Sequence, residues 1–139
     1  LHGKFAHFMT SDPIGDFITR LKNASAVKKT SMSVPYSNMK YAIALTLKKS
    51  GYIGDVSKVG DGPKKSMTVN LLYSGTGDPK IQEVKRVSKP RRRIYSGVSK
   101  IYPVKYGKGL MVLTTPKGIL TDVEARRDRV GGETLFAIW

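Results

Sequence analysis

Ser74-Gly75-Thr76-Gly77-Asp78-Pro79 separates two stretches of this sequence that follow different patterns. Glycine admits backbone angles closed to other residues, proline fixes its own φ, and Ser, Thr and Asp bond their local backbone. A run built only from such residues does not sit inside a helix or a strand, so it reads as a linker. Before it, apolar residues recur at helical spacing; beyond it, every long helical pattern disappears. The contrast decides the fold class: α+β, with an N-terminal domain over 9–74 and a mainly β C-terminal domain over 75–139.

Working back from the linker, Tyr52 to Val59 and Ser66 to Tyr73 read as strands joined by the turn cluster Gly60-Asp61-Gly62-Pro63. Ahead of them Ser37 can cap a helix in which Met39, Ile43 and Leu47 share a face and Gly51 makes the stop. Thr30 to Val34 reads as a short strand closed by Pro35. Asp12-Pro13 opens another helix: Asp12 can cap it, and Pro13 suits a first position where no N–H is needed. Ile14, Phe17, Ile18 and Leu21 then form one apolar stripe, and the helix ends near Ala26. The order is α-β-α-β-β.

Working forward, Ile81 to Val87 and segments around Tyr95, Ile101 to Val104 and Leu110 to Thr115 read as strands. Thr121 and Glu124 make a capping box for one short helix through Arg129. Gly131-Gly132 ends it, and Glu133 to Trp139 is a terminal strand. Each half has about 65 residues, a size at which only about 60% of the unfolded surface is buried. The halves are therefore expected to dock on each other and to gain stability from a partner. Residues 1–8 read as a leader or appended remnant ahead of Met9, too short in apolar run for a secretory signal.

The charge is strongly one-sided: 25 Lys and Arg against 10 acidic residues, a formal +15 on 15.3 kDa. Self-repulsion of that size is relieved by a polyanion, for which nucleic acid is the first choice and an anionic membrane surface the second. No helix pattern shows a basic face opposite a large aromatic one, and no apolar run nears the roughly 20 residues of a bilayer span. With no cysteine, disulfides, thiol catalysis and the usual zinc fingers are excluded. Both histidines, His2 and His7, lie in the leader, so no placed imidazole remains for general base or metal duty. The chain reads as a non-enzyme without cofactor, metal or small-molecule substrate, of the cytosol or an organelle matrix.

Lys85 to Arg93 reads Lys-Arg-Val-Ser-Lys-Pro-Arg-Arg-Arg, six cations in nine residues without an acid. An isolated cation usually faces solvent. Here Pro90 interrupts regular structure, and Arg91, Arg92 and Arg93, with Lys89, offer guanidinium forks and an ammonium suited to phosphate. Tyr95, Tyr102 and Tyr106 are interleaved. Tyrosine stacks on unpaired bases or bonds a ribose 2′-hydroxyl, and it also packs well in sheets. Position favours contact for Tyr95 and packing for the other two. Thr114-Thr115-Pro116-Lys117-Gly118 reads as a loop with hydroxyls, free N–H groups and a cation able to meet a backbone or base edge. Gly107-Lys108-Gly109 fits neither a P-loop nor a dinucleotide fingerprint. Glu133, after two glycines where a backbone can approach a ligand closely, can accept from a base amine or sit in a structural salt bridge.

Together these motifs resemble ribosomal protein S eight of the small subunit, the universal family in its bacterial form. The resemblance runs through Asp12-Pro13-Ile14, Thr19 to Ala24, Pro35-Tyr36-Ser37 with Lys40, and Gly51-Tyr52-Ile53. It continues through Val87 to Pro90, Arg93-Ile94-Tyr95, Gly107-Lys108-Gly109, Thr114 to Gly118, Thr121-Asp122, Glu124-Ala125-Arg126 and Gly131-Gly132-Glu133. It implies a non-catalytic ribosomal constituent that binds a stem in the central domain of 16S-type rRNA, supports its assembly and neighbours other small-subunit proteins. It implies RNA contact for Thr114, Thr115, Lys117 and Gly118, lesser contacts for Arg93, Tyr95 and Glu133, and first-domain contacts for Ser37 and Lys40. Pro116 stands where the family has serine, and Arg91 where the bacterial pattern usually has glycine.

Overall fold

The computed structural model describes residues 12–139, apart from the side chain of Tyr106, so the proposed leader lies outside the described residues. The Asp12 carboxylate accepts the Gly15 N–H at 3.1 Å and starts helix α1, Pro13–Ala26, as the sequence predicts. Phe17, Ile18, Leu21 and Ala24 form its buried stripe. Strand β1 (Ser31–Pro35) leads to Ser37, whose Oγ accepts the Lys40 N–H and caps helix α2, Asn38–Lys49. Strands β2 (Ile53–Val59) and β3 (Ser66–Leu71) complete an antiparallel sheet in the order β1-β3-β2.

One expectation for α2 is corrected. The inward stripe is Lys40, Ile43, Ala44 and Leu47, while Met39 is 44% exposed. At about 100° per residue, Met39 lies roughly a quarter-turn from the line through Ile43, Ala44 and Leu47, and Lys40 lies close to it. A cation is thus carried on the apolar face.

The second half contains strands β4 (Val84–Arg86), β5 (Tyr95–Ser96), β6 (Leu110–Thr115), β7 (Gly118–Thr121) and β8 (Gly132–Ile138), with helix α3, Asp122–Asp128. Their antiparallel sheet has the order β4-β8-β6-β7, and β5 also pairs with β8. The capping box of α3 is formed in both directions, Glu124 N–H to Thr121 Oγ1 at 3.2 Å and Thr121 N–H to Glu124 Oε1 at 3.0 Å. Three readings are corrected here. Ile81 to Val87 yields only a three-residue strand. The segment around Ile101 to Val104 is not a strand: 3-10 turns at Val98–Lys100 and Val104–Gly107 flank it. Ile101 is drawn into a small core with Leu113 and Ala125, and Pro103 has no N–H for a ladder. Leu110 to Thr115 is a strand as read, so the loop read over Thr114 to Gly118 shrinks to the turn Pro116-Lys117 before β7.

The halves are docked. Phe17, Leu21, Ile43 and Leu47 share one hydrophobic cluster with Val112, Leu135, Phe136 and Ile138. Polar links cross the same boundary: Asp12 with Arg86, Lys22 with Glu83, and Lys49 with Glu124 at 2.9 Å. The Asp12 pair is bidentate, with Arg86 Nη2 at 2.6 Å from Oδ1, and it ties the first turn of α1 to β4. Lost aliphatic packing in such a cluster costs about 2–5 kcal/mol per Leu or Ile truncated to Ala.

Candidate nucleic-acid interface

A cleft of about 580 Å³ opens where the N-termini of α1 and α2 face the second sheet. Pro13, Ile14, Met39, Pro90 and Leu135 supply apolar lining; Ser37, Lys40, Lys89, Arg93, Thr114 and Glu133 supply the polar groups. Six side chains singled out from sequence, drawn from both halves of the chain, therefore line one concavity.

Two of these groups are held without a counter-ion among the described residues. Lys40 is only 7% exposed, and no carboxylate lies within salt-bridge distance of it among the described residues. Burying an ammonium without a partner is costly, and a long side chain reduces that cost by reaching toward solvent, here through the cleft. Glu133 likewise has no ion pair among the described residues. It lies between Thr114 of β6 and Tyr95 of β5, its direct partners on the two neighbouring strands. Directly opposed residues share a sheet face, so a hydroxyl, a carboxylate and a phenol form a row that runs from the cleft to the exposed Tyr95.

The close approach read at Gly131-Gly132 is to protein. A Cβ on Gly132 would meet the Thr114 carbonyl oxygen at 2.1 Å, and one on Gly131 the Ser96 carbonyl oxygen at 2.3 Å. The glycines let β8 close on β6 and β5 and so bring Glu133 to its place.

Beyond β4 the basic run, from Lys89 to Arg93, is a pinned loop. Lys89 and Arg92 exchange backbone hydrogen bonds at 3.0 and 2.9 Å. At its base the buried Ser88 accepts the Ile94 N–H at 2.8 Å and donates to the Ile94 carbonyl at 3.2 Å. Arg91 and Arg92 stand exposed at the tip, whereas Lys89 and Arg93 border the cleft. Ser88 was missed in sequence because a serine beside cations looks like another solvated polar residue.

The turn after β6 has a different character. Thr115 Oγ1 donates to the Gly118 carbonyl at 2.9 Å and accepts the Lys117 N–H at 3.1 Å. Proline at the second position and glycine at the fourth suit this turn, and Gly118 has φ +105°. Pro116 therefore fits the geometry. The Thr115 hydroxyl keeps one lone pair and no free proton, and Lys117 and Gly118 are exposed.

Electrostatics separates the surfaces further. From Val84 to Thr121 there is no acidic residue. Carboxylates elsewhere are mostly engaged: Asp122 with Arg126 at 3.0 Å, Asp12 with Arg86, Glu124 with Lys49. Hydrogen bonding from Arg86, outweighing burial, holds the Asp12 carboxyl below the usual aspartate value. Burial pushes Glu124 up, but the Lys49 ammonium and the Thr121 N–H bring it below the usual glutamate value. One aromatic reading is overturned: Tyr102 is 68% exposed and does not pack in the sheet. The Tyr106 side chain lies outside the described residues.

The model of the family described as ribosomal protein S8 matches residues 12–139. The small ribosomal subunit protein uS8 of Chloroflexus aurantiacus is 48% identical over 130 residues, covering 93% of this chain and 98% of that protein. The uS8 proteins of Kosmotoga olearia and Burkholderia mallei are each 46% identical, over 134 and 125 residues. These alignments cover 94% and 90% of this chain, and 100% and 95% of those proteins.

Proposed function

The chain belongs to the ribosomal protein S8 family, and from that premise we propose how it serves the small ribosomal subunit. It is a structural, non-catalytic constituent of that subunit, with ribosomal RNA and neighbouring ribosomal proteins as partners. The finer reading is that it binds a stem in the central domain of 16S-type rRNA through the cleft and its basic margins, and supports folding of that domain. The carrying observation is the cleft: Lys40 and Glu133 lie there without counter-ions among the described residues, beside Ser37, Lys89, Arg93 and Thr114.

The roles divide by chemistry. Lys40, Lys89, Arg91, Arg92, Arg93 and Lys117 take phosphates, the arginines with planar forks. Ser37 and Thr114 offer hydroxyls to ribose or base edges. Glu133 accepts from a base amine, and Tyr95 presents a ring at the end of the same row. Thr115 fixes the turn that carries Lys117 and exposes the Gly118 backbone, and its remaining lone pair can accept one bond from the RNA. Phosphate contacts give affinity that falls with salt; base contacts give the preference for one stem.

The test is a salt titration of the protein on a central-domain stem and on a shuffled stem. Both affinities are expected to fall with a slope of about 0.7–0.9 per phosphate contact, with the cognate stem preferred at every salt concentration. Equal affinity for the two stems would reject the central-domain assignment.

A further inference from the structure

We propose that Tyr102, with Val98 and Lys100, forms a second RNA-binding surface, which takes unpaired nucleotides by stacking on the far side of the second sheet. The inference rests on the reading of the chain as an rRNA binder and adds a site to it.

Tyr102 lies between Ile101, which is buried, and Pro103. Ile101 packs with Leu113 and Ala125, whereas Val112 packs toward the first half and Thr114 borders the cleft. Since side chains alternate along β6, the Ile101 plug is on the α3 face and the cleft on the opposite one. The segment is anchored by the buried Ile101 and, past Tyr102, by the Lys108 carbonyl, which accepts the Tyr52 hydroxyl at 3.3 Å. The Lys105 ammonium lies over the Trp139 ring at 4.6 Å. A large ring is thus displayed from a fixed backbone, which lowers the ordering cost of binding.

Charge selects the partner. Tyr102 and Val98 are exposed within a stretch that has no acidic residue from Val84 to Thr121 and carries Lys100, Lys105 and Lys108. Protein interfaces deplete lysine at their cores, whereas single-stranded RNA is held by aromatic platforms set among cations.

The test uses the full chain and two RNAs: an isolated central-domain stem and the whole central domain with its unpaired junction nucleotides. Tyr102→Ala is expected to weaken whole-domain binding about five- to hundredfold and stem binding less than about twofold. Tyr102→Phe keeps the ring and should match the parent, while Tyr102→Leu should lose as much as the alanine variant. Equal losses on both RNAs, or full whole-domain affinity for Tyr102→Leu, would overturn the proposal. So would Tyr102→Ala binding both RNAs like the parent while failing to recruit a neighbouring ribosomal protein. If Thr114→Val weakens stem binding while Tyr102→Ala changes neither RNA, the cleft reading stands and this inference alone fails.

Discussion

Thr114 and Thr115 are neighbours on one strand and belong to opposite kinds of surface. The Thr115 hydroxyl is engaged twice within its own turn, to Gly118 and Lys117. Thr114 borders the cleft with no side-chain hydrogen bond among the described residues, beside a lysine and a glutamate without ion pairs. The same contrast divides Arg86, closed on Asp12, from Arg93, open to the cleft. Closed polar groups shape the backbone, and open ones remain available to RNA. Loss of a closed group should therefore appear in stability, and loss of an open one in binding.

Among the polar groups, the largest stability effect is expected at the latch. Arg86→Ala strands the Asp12 carboxylate at the boundary between the halves and should cost about 2 kcal/mol. That is below the range for fully buried pairs, because both side chains keep some solvent and Arg86 Nε has no partner among the described residues. The folded-state Asp12 pKa is lowered, so this stabilisation is fully present above the unfolded aspartate value. It is lost as pH falls through the folded one. Denaturant midpoints of parent and variant should converge on acidification; a constant gap down to strongly acid pH would contradict the latch.

The two threonines give the sharpest internal comparison. Thr114→Val should lower cognate-stem affinity by roughly 1–3 kcal/mol with stability nearly unchanged. Thr115→Val should lower stability by about 1 kcal/mol through the opened turn, with RNA losses that follow the turn. The reverse pattern, measured by paired unfolding and binding titrations, would break the distinction.

A smaller and opposite pair of effects belongs to Lys40. Lys40→Met should reduce binding of cognate and shuffled stems alike and lower the salt slope by about 0.7–0.9. Stability should hold or rise, since an apolar chain replaces a buried cation. A loss of stability larger than about 1 kcal/mol would mean that Lys40 is closed within the protein.

The sequence showed most where periodicity and capping act together. Asp12-Pro13 with its stripe, Ser37, and the Thr121–Glu124 box are local signals, and the helices follow them. It showed less where tertiary contacts decide. Ile101 reads as a strand residue and becomes a plug; Tyr102 reads as packing and faces solvent; Met39 and Lys40 exchange places because the stripe follows Ile43, Ala44 and Leu47. Lys89, Arg93, Thr114 and Glu133 were individually visible as residues able to meet RNA, Ser37 and Lys40 only through the family resemblance. Their convergence was not, because it depends on docking of the halves, and neither was the apolar lining from Ile14 and Leu135, which read as ordinary core.

The central claim is that the cleft between the halves receives RNA. Met39, exposed at the cleft, and Leu45, exposed on another face of α2, provide the direct comparison. A photo-crosslinking side chain placed at each position in turn, in the full chain bound to a central-domain stem, should form an RNA adduct from position 39 and none from position 45. An adduct from position 45 with none from position 39 would contradict the account.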